Sequence, residues 1–232
     1  MIKFSCKPSK ELLKTTIKIY MRRLPVYILL DTSGSMSGEP IEAVKNGVQM
    51  MMHSLRQNPQ AIETAYVSII TFDSDAKQIV PLTDLASFQM VDIKASGVTS
   101  LGAALNLLAD KVETEVNKTT LEQKGDWKPL TFIMTDGIPT DDWQTGYNKL
   151  KSVYKGLIVG CAAGHGADDS ILKQITESVV RLDSADSDSI ATFFKWVTAS
   201  ISTSSEKVEE SGKEVTGLDQ LPPPPSELVI VA

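Results

Sequence analysis

The chain has 232 residues, enough for one medium-sized domain with terminal extensions or for two small domains. Its apolar share of 42% is ordinary for a globular protein, and no uninterrupted apolar run is long enough to span a membrane. The formal net charge is −6, and the basic residues are concentrated in residues 1–23, so the acidic remainder lacks the basic surface that nucleic-acid binding requires.

Cysteine and histidine usage excludes two further kinds of site. Two cysteines, Cys6 and Cys161, are too few for a disulfide framework, and His53 and His165 lie too far apart in sequence to indicate a zinc site. Residues 11–20 come nearest to a secretion signal, but two lysines interrupt the apolar stretch. We therefore predict a cytoplasmic protein.

Apolar runs rich in Val, Ile and Leu alternate along the chain with segments of helical period. The predicted elements are, in chain order, a strand at 24–30, a helix at 40–56, strands at 65–72 and 77–82, a helix at 100–116, a strand at 129–135, a helix at 141–155, a strand at 156–162, a helix at 168–176, a strand at 178–182 and a helix at 187–202.

This order of elements predicts the fold class. Parallel strands need crossover connections, so strands that alternate with helices indicate a mostly parallel sheet covered on both faces. The short connection DSDA, between the second and third strands, predicts a hairpin and hence one antiparallel edge strand. We predict a doubly wound α/β fold with a mostly parallel six-stranded sheet and helices on both faces.

Composition divides the chain into three parts. Residues 1–21 form a basic N-terminal extension, residues 22–202 form the predicted domain, and residues 203–232 form an acidic, proline-rich tail. The polar first part of the tail predicts disorder, and its four consecutive prolines favour an extended polyproline rod. The apolar end at 228–231 is suited either to docking on the domain or to binding another protein.

Oxygen-bearing side chains occur in three loops that the fold places at one edge of the sheet. The loops follow the first strand, precede the 100–116 helix and follow the 129–135 strand; their candidate ligands are Asp31, Ser33, Ser35, Thr99 and Asp136. Ligands of open parallel sheets gather at the carboxyl ends of the strands, and hard divalent cations prefer oxygen ligands. Two converging carboxylates would also repel each other without a cation. The sequence predicts a site for Mg²⁺ or Mn²⁺, ahead of Ca²⁺.

Each loop alone also has a structural explanation. Ser100 is suited to capping the helix that follows it, and Asp136 with Gly137 is a common turn pair. The occurrence of all three loops in the right order on the right strands favours the metal site. Other acids in nearby loops are the usual residue types of turns and helix starts, so we predict structural roles for Asp73, Asp75, Asp141 and Asp142.

The motif D-x-S-x-S after the first strand, Thr99, and T-D-G after the fourth strand resemble the metal-ion-dependent adhesion site of von Willebrand factor A domains. The surrounding sequence resembles the bacterial TerY-type proteins linked to tellurium resistance, from RLPVYILLDTSGSMSGEPIEAVKNGV through TFIMTDGIPTDDW. The resemblance covers about residues 22–200.

This resemblance implies a non-enzymatic, metal-dependent protein-binding module. Ser33, Ser35 and Thr99 would ligate the metal through their hydroxyls, while Asp31 and Asp136 would contribute charge directly or through water. A further coordination position would be filled by an Asp or Glu of a protein partner. The resemblance also implies a scaffold or adaptor in a stress, tellurium-resistance or phospho-signalling system, with a phosphatase- or kinase-like protein as the partner.

The alternative is a Mg²⁺-dependent phosphohydrolase of the haloacid dehalogenase type with Asp31 as the phosphoryl acceptor. Such an enzyme normally has a second Asp two positions on, where this chain has Ser33. A lysine that would neutralise the phosphate is also hard to place, since neither Thr99 nor Asp136 has one adjacent. We therefore predict no catalytic residues.

Overall fold

The computed structural model describes residues 22–164 and 166–231, which form one sheet flanked by helices. The strands are β1 (Leu24–Asp31), β2 (Ala65–Phe72), β3 (Ala76–Asp84), β4 (Leu130–Thr135), β5 (Leu157–Ala163), β6 (Val179–Leu182) and β7 (Leu228–Ile230). The helices are α1 (Glu39–Leu55), α2 (Pro59–Thr64), α3 (Leu101–Glu115), α4 (Trp143–Val153), α5 (Asp169–Ile175) and α6 (Ser187–Glu210), with 3-10 turns at Gly34–Met36 and Leu218–Gln220. None of the helices in these residues has the length and apolar content to cross a membrane. The predictions for the basic extension, Cys6 and His165 lie outside the described residues.

The sheet has the strand order β3-β2-β1-β4-β5-β6-β7. β1 pairs in parallel with both β2 and β4, while β3 and β7 are antiparallel strands at the two edges. The predicted α/β class is confirmed, and the sheet gains a seventh strand that the sequence did not predict. After β1 the chain forms β2 and β3 on one side of β1 in the sheet, and it then crosses to the other side to form β4. A crevice forms at the carboxyl ends of β1 and β4, where the strand order reverses.

The core has two layers because successive residues of a strand face opposite sides. Val26, Ile28 and Leu30 of β1 belong to the cluster that α1 and α6 cover, whereas Tyr27 and Leu29 belong to the cluster beneath α3, α4 and α5. All eight residues of β1 are buried, as expected of a central parallel strand. The carboxyl end of β1 is therefore held rigidly between its neighbours.

The C-terminal segment differs from its prediction. The last helix continues to Glu210 rather than ending at 202, so the predicted disorder after 203 is wrong there, and Val208 is buried. The proline run passes beside α6, where Trp196 Nε1 donates a 2.9 Å hydrogen bond to the carbonyl of Pro222. The apolar end then pairs with β6 as β7, with Leu228 buried. Of the two uses predicted for residues 228–231, docking on the domain is the one observed.

Candidate metal centre

Backbone hydrogen bonds join the loops at the carboxyl edge of the sheet. They connect the loop after β1 to residues 96–100, and residues 96–100 to the loop after β4. The three bonds are Ser96 N to Thr32 O at 2.8 Å, Gly34 N to Gly97 O at 3.0 Å and Thr140 N to Thr99 O at 2.8 Å. The three loops predicted to carry oxygen ligands therefore meet at the crevice between β1 and β4.

A chain of oxygen atoms lines this crevice. The hydroxyls of Ser33 and Ser35 lie 3.0 Å apart, and Ser35 Oγ donates to Asp136 Oδ1 at 2.8 Å. Ser33 is buried, Asp136 is half-buried and Ser35 is exposed, so the crevice opens to solvent on the Ser35 side. Three of the five predicted residues are thus directly linked through their side chains.

Asp31 lies deeper, at the end of β1, and only 1% of its surface is exposed. Its Oδ1 accepts the backbone N–H of Ser33 at 2.8 Å, and its Oδ2 accepts the hydroxyl of Thr135 at 2.6 Å. With both oxygens engaged, Asp31 fixes the position of Ser33. Sequence reasoning missed Thr135, although its position immediately before Asp136 is the signal that could have identified it.

Thr99 faces the turn formed by Asp136 and Gly137. A β-carbon added to Gly137 would lie 2.9 Å from Thr99 Oγ1, so glycine leaves room for the hydroxyl. Only 6% of Thr99 is exposed, and within residues 22–164 and 166–231 its hydroxyl makes no side-chain hydrogen bond. The Thr99 hydroxyl therefore lies beside the Asp136–Gly137 turn at the crevice.

The glycines at the site serve close approach rather than sharp turns. Neither Gly34 nor Gly137 has a positive φ. Instead, a β-carbon on Gly34 would lie 3.2 Å from the carbonyl of Gly97. Gly97 is the residue with the left-handed backbone, at φ 73°, and it packs against Ser74.

The electrostatics of the crevice suit a cation. Burial raises the pKa of Asp31, and the neighbouring carboxylate of Asp136 acts in the same direction. Burial likewise raises the pKa of Asp136. A bound divalent cation would favour the ionised form of both groups. The described residues contain no group of three or more His, Cys, Asp or Glu side chains that could hold a metal, so the hydroxyls are needed to complete an oxygen donor set.

The other acids of this edge have structural hydrogen bonds. Asp141 caps α3, accepting the N–H groups of Gly102 at 3.0 Å and Ala103 at 2.8 Å, whereas the adjacent Asp142 caps α4. Ser100 occupies the N-cap position of α3 without a capping side-chain bond. The predicted structural role of Asp141 is therefore correct, but it serves a different helix from the one expected.

A comparison with protein families finds one match. The family model of the von Willebrand factor type A domain matches residues 26–196. The chain belongs to this family. No curated protein sequence matches the chain.

Solved structures share the fold at low sequence identity. Proximal thread matrix protein 1 from the mussel byssus has a TM-score of 0.60 at 19% identity, covering 77% of this chain and 48% of that one. A von Willebrand factor type A structure from Catenulispora acidiphila gives 0.58 at 16% identity, covering 78% and 43%. The pilus adhesin SpaC from Lactobacillus rhamnosus GG gives 0.61 at 15% identity, covering 79% and 30%. The chain thus spans less than half the length of each.

Proposed function

We propose that this chain is a divalent-metal-dependent protein-binding module whose site is formed by Asp31, Ser33, Ser35, Thr99 and Asp136. The observation that carries the proposal is the linked oxygen set of Ser33, Ser35 and Asp136, beside the hydroxyl of Thr99. Another structure of the mussel protein, 20% identical over 77% of this chain, has a metal-ion-dependent adhesion site (MIDAS) motif occupied by zinc. This supports a metal-binding role here. The oxygen donors favour Mg²⁺ or Mn²⁺.

The five residues have different proposed roles: some bind the metal, and others supply charge or position the ligands. The hydroxyls of Ser33, Ser35 and Thr99 are the proposed ligands, and Asp136 supplies charge directly or through water. Asp31 also supplies charge and holds the backbone of Ser33 in place. When bound, the cation provides a positive centre that attracts a partner's carboxylate. The open side near the exposed Ser35 is where that carboxylate would enter.

The partner we propose is a protein that presents an Asp or Glu to this site. A phosphatase- or kinase-like partner, and a role as scaffold or adaptor in a bacterial stress, tellurium-resistance or phospho-signalling system, rest on the resemblance to TerY-type sequences alone. We propose the cytoplasm as the compartment because two cysteines are too few for a disulfide framework.

Two observations disfavour the alternative of a phosphohydrolase that uses Asp31. A phosphoryl acceptor needs an accessible oxygen, but Asp31 is buried and both of its oxygens accept hydrogen bonds. Ser33 also stands where a second Asp would act as the acid and base. Sustained hydrolysis of a generic phosphate ester with Mg²⁺, abolished in Asp31→Asn, would overturn this conclusion.

Affinity capture from cell lysate tests the proposal with Mg²⁺ and with a chelator. The wild type is run beside Thr99→Ala, which removes one proposed ligand, and Thr114→Ala, which makes the same change at an exposed position on α3. We expect a protein that the wild type and Thr114→Ala retain with Mg²⁺ and lose with chelator, and that Thr99→Ala does not retain. Retention of the same proteins with Mg²⁺ and with chelator, and by the wild type and Thr99→Ala alike, would contradict the proposal.

A further inference from the structure

Four of the loops at the crevice together carry acidic side chains. Loops 31–38, 73–75, 96–100 and 136–142 contain no Lys, Arg or His, and their acids are Asp31, Asp73, Asp75, Asp136, Asp141 and Asp142. The capping and turn bonds of the outer four acids come from backbone N–H and hydroxyl groups, which leave the carboxylate charge in place; these acids are Asp73, Asp75, Asp141 and Asp142. The rim of the site is therefore strongly acidic.

Two exposed apolar side chains lie within this acidic rim. Val98 is 50% exposed and precedes Thr99, while Ile138 is 58% exposed and follows Gly137. Thr99 and Gly137 themselves approach closely, since a β-carbon on Gly137 would lie 2.9 Å from Thr99 Oγ1. The two apolar side chains thus flank the same opening, where a partner would cover them.

Charge complementarity limits what can bind here. A partner's carboxylate adds like charge to a site that holds the buried Asp31 and five further carboxylates, and one divalent cation offsets only two of the six charges. Like-charge contacts oppose association, whereas complementary charge favours it. A partner segment therefore needs its own cations near the carboxylate that it presents.

We propose that the face formed by Val98, Ile138 and the four acidic loops recognises a peptide segment in which one Asp or Glu is flanked by Lys or Arg and by an apolar side chain. The inference rests on the proposed function, because the carboxylate goes to the metal site. The apolar side chain packs on Val98 and Ile138. The basic flanks lie toward Asp75 and Asp142, which are exposed.

The test uses the full ¹⁵N-labelled chain and synthetic peptides followed by NMR titration. The probe is acetyl-Lys-Leu-Glu-Leu-Lys-amide. It is compared with a peptide in which Asp replaces both Lys residues and with a peptide in which Gln replaces Glu. With Mg²⁺ we expect the Lys-flanked peptide to bind at least ten-fold more tightly than the Asp-flanked one, and the Gln peptide to lose binding. Equal affinities, or no shift with the Lys-flanked peptide at millimolar concentration, would overturn the inference.

Surface variants identify the face that the peptide contacts. We expect Val98→Ser to weaken binding several-fold, while Val229→Ser, the same change at a position 48% exposed on β7, leaves it unchanged. Asp142→Asn keeps a good helix cap but removes a charge, and should weaken binding more at low salt than at high salt. Glu63→Gln, on the exposed surface of α2, is its control. Wild-type affinity in both Val98→Ser and Asp142→Asn would contradict the inference.

Mg²⁺ calorimetry without peptide separates this inference from the proposed function. If Mg²⁺ binds but the peptides show the wrong ranking, the inference about the partner fails and the metal site stands. If Mg²⁺ does not bind, the proposed function fails and the inference fails with it.

Discussion

Ser35 Oγ donates a 2.8 Å hydrogen bond to Asp136 Oδ1 across 101 positions of sequence. The bond joins the loop after β1 to the loop after β4 at the point where the two strands diverge. Because Ser33 and Ser35 also lie within hydrogen-bonding distance of each other, hydrogen bonds hold these oxygens close together. Such preorganisation lowers the conformational cost of binding a cation.

Metal should stabilise the folded protein, because the oxygen set exists only in the native state. A ligand at about 100 times its dissociation constant adds about 2.7 kcal/mol to the free energy of unfolding. We expect saturating Mg²⁺ to raise the melting temperature of the wild type and to have a smaller effect on Thr99→Ala, as measured by calorimetric scanning. Identical melting temperatures with Mg²⁺ and with chelator would contradict the site.

Removal of the Asp141 carboxylate should destabilise the protein through α3. Asp141→Ala leaves two N–H groups at the start of that helix without their cap, and loss of a cap typically costs about 1 kcal/mol of unfolding free energy. Urea denaturation measures the change. Asp183→Ala, at an exposed position after β6, should change the unfolding free energy by less than about 0.5 kcal/mol. Equal effects of the two substitutions would show that Asp141 is not a cap.

The crossing of α3 and α4 depends on two glycines. A β-carbon added to Gly146 would overlap with the backbone carbonyl oxygen of Gly102. Gly146→Ala should therefore push the helices apart and cost about 1–3 kcal/mol of unfolding free energy, as overpacking does. Gln144→Ala, at an exposed position of α4, should be nearly neutral in the same denaturation experiment. A neutral Gly146→Ala would contradict the close crossing.

Docking of the C-terminal segment gives a matched pair of substitutions on neighbouring residues of β7. Leu228 is 3% exposed, and its truncation to Ala should cost about 2 kcal/mol or more of unfolding free energy. Val229 is 48% exposed, and Val229→Ala should fall within about 0.5 kcal/mol of the wild type. Similar effects of the two substitutions on chemical denaturation would mean that β7 is not packed on the domain.

The sequence predicted the elements whose signals are local. β1 and α1 lie within one residue of their predicted bounds, because a buried parallel strand and an amphipathic helix each have a strong period. The short helix α2 was missed, although Asn58 before Pro59 is a recognisable helix start and the Asn58 side chain accepts the N–H of Ala61.

Several features that depend on distant contacts were not predicted. β7 has only three residues, and its pairing with β6 is decided by contacts across more than 40 positions of sequence. Asp141 lies beside α4 in sequence but caps α3, about 40 residues earlier, which no local pattern reveals. At the site, the motif predicted which loops meet, while the roles of Thr135 and of the exposed Val98 and Ile138 required the packed structure.

The most direct test of the central claim is calorimetric titration of the metal-free full chain with Mg²⁺, comparing the wild type, Asp136→Ala and Asp183→Ala. Asp136 lies in the crevice and bonds to Ser35, whereas Asp183 is exposed in the loop after β6. We expect saturable binding to the wild type and to Asp183→Ala, and at least a ten-fold loss of affinity in Asp136→Ala. Unchanged affinity in Asp136→Ala, or no Mg²⁺ binding by the wild type, would contradict the assignment of this crevice as a metal site.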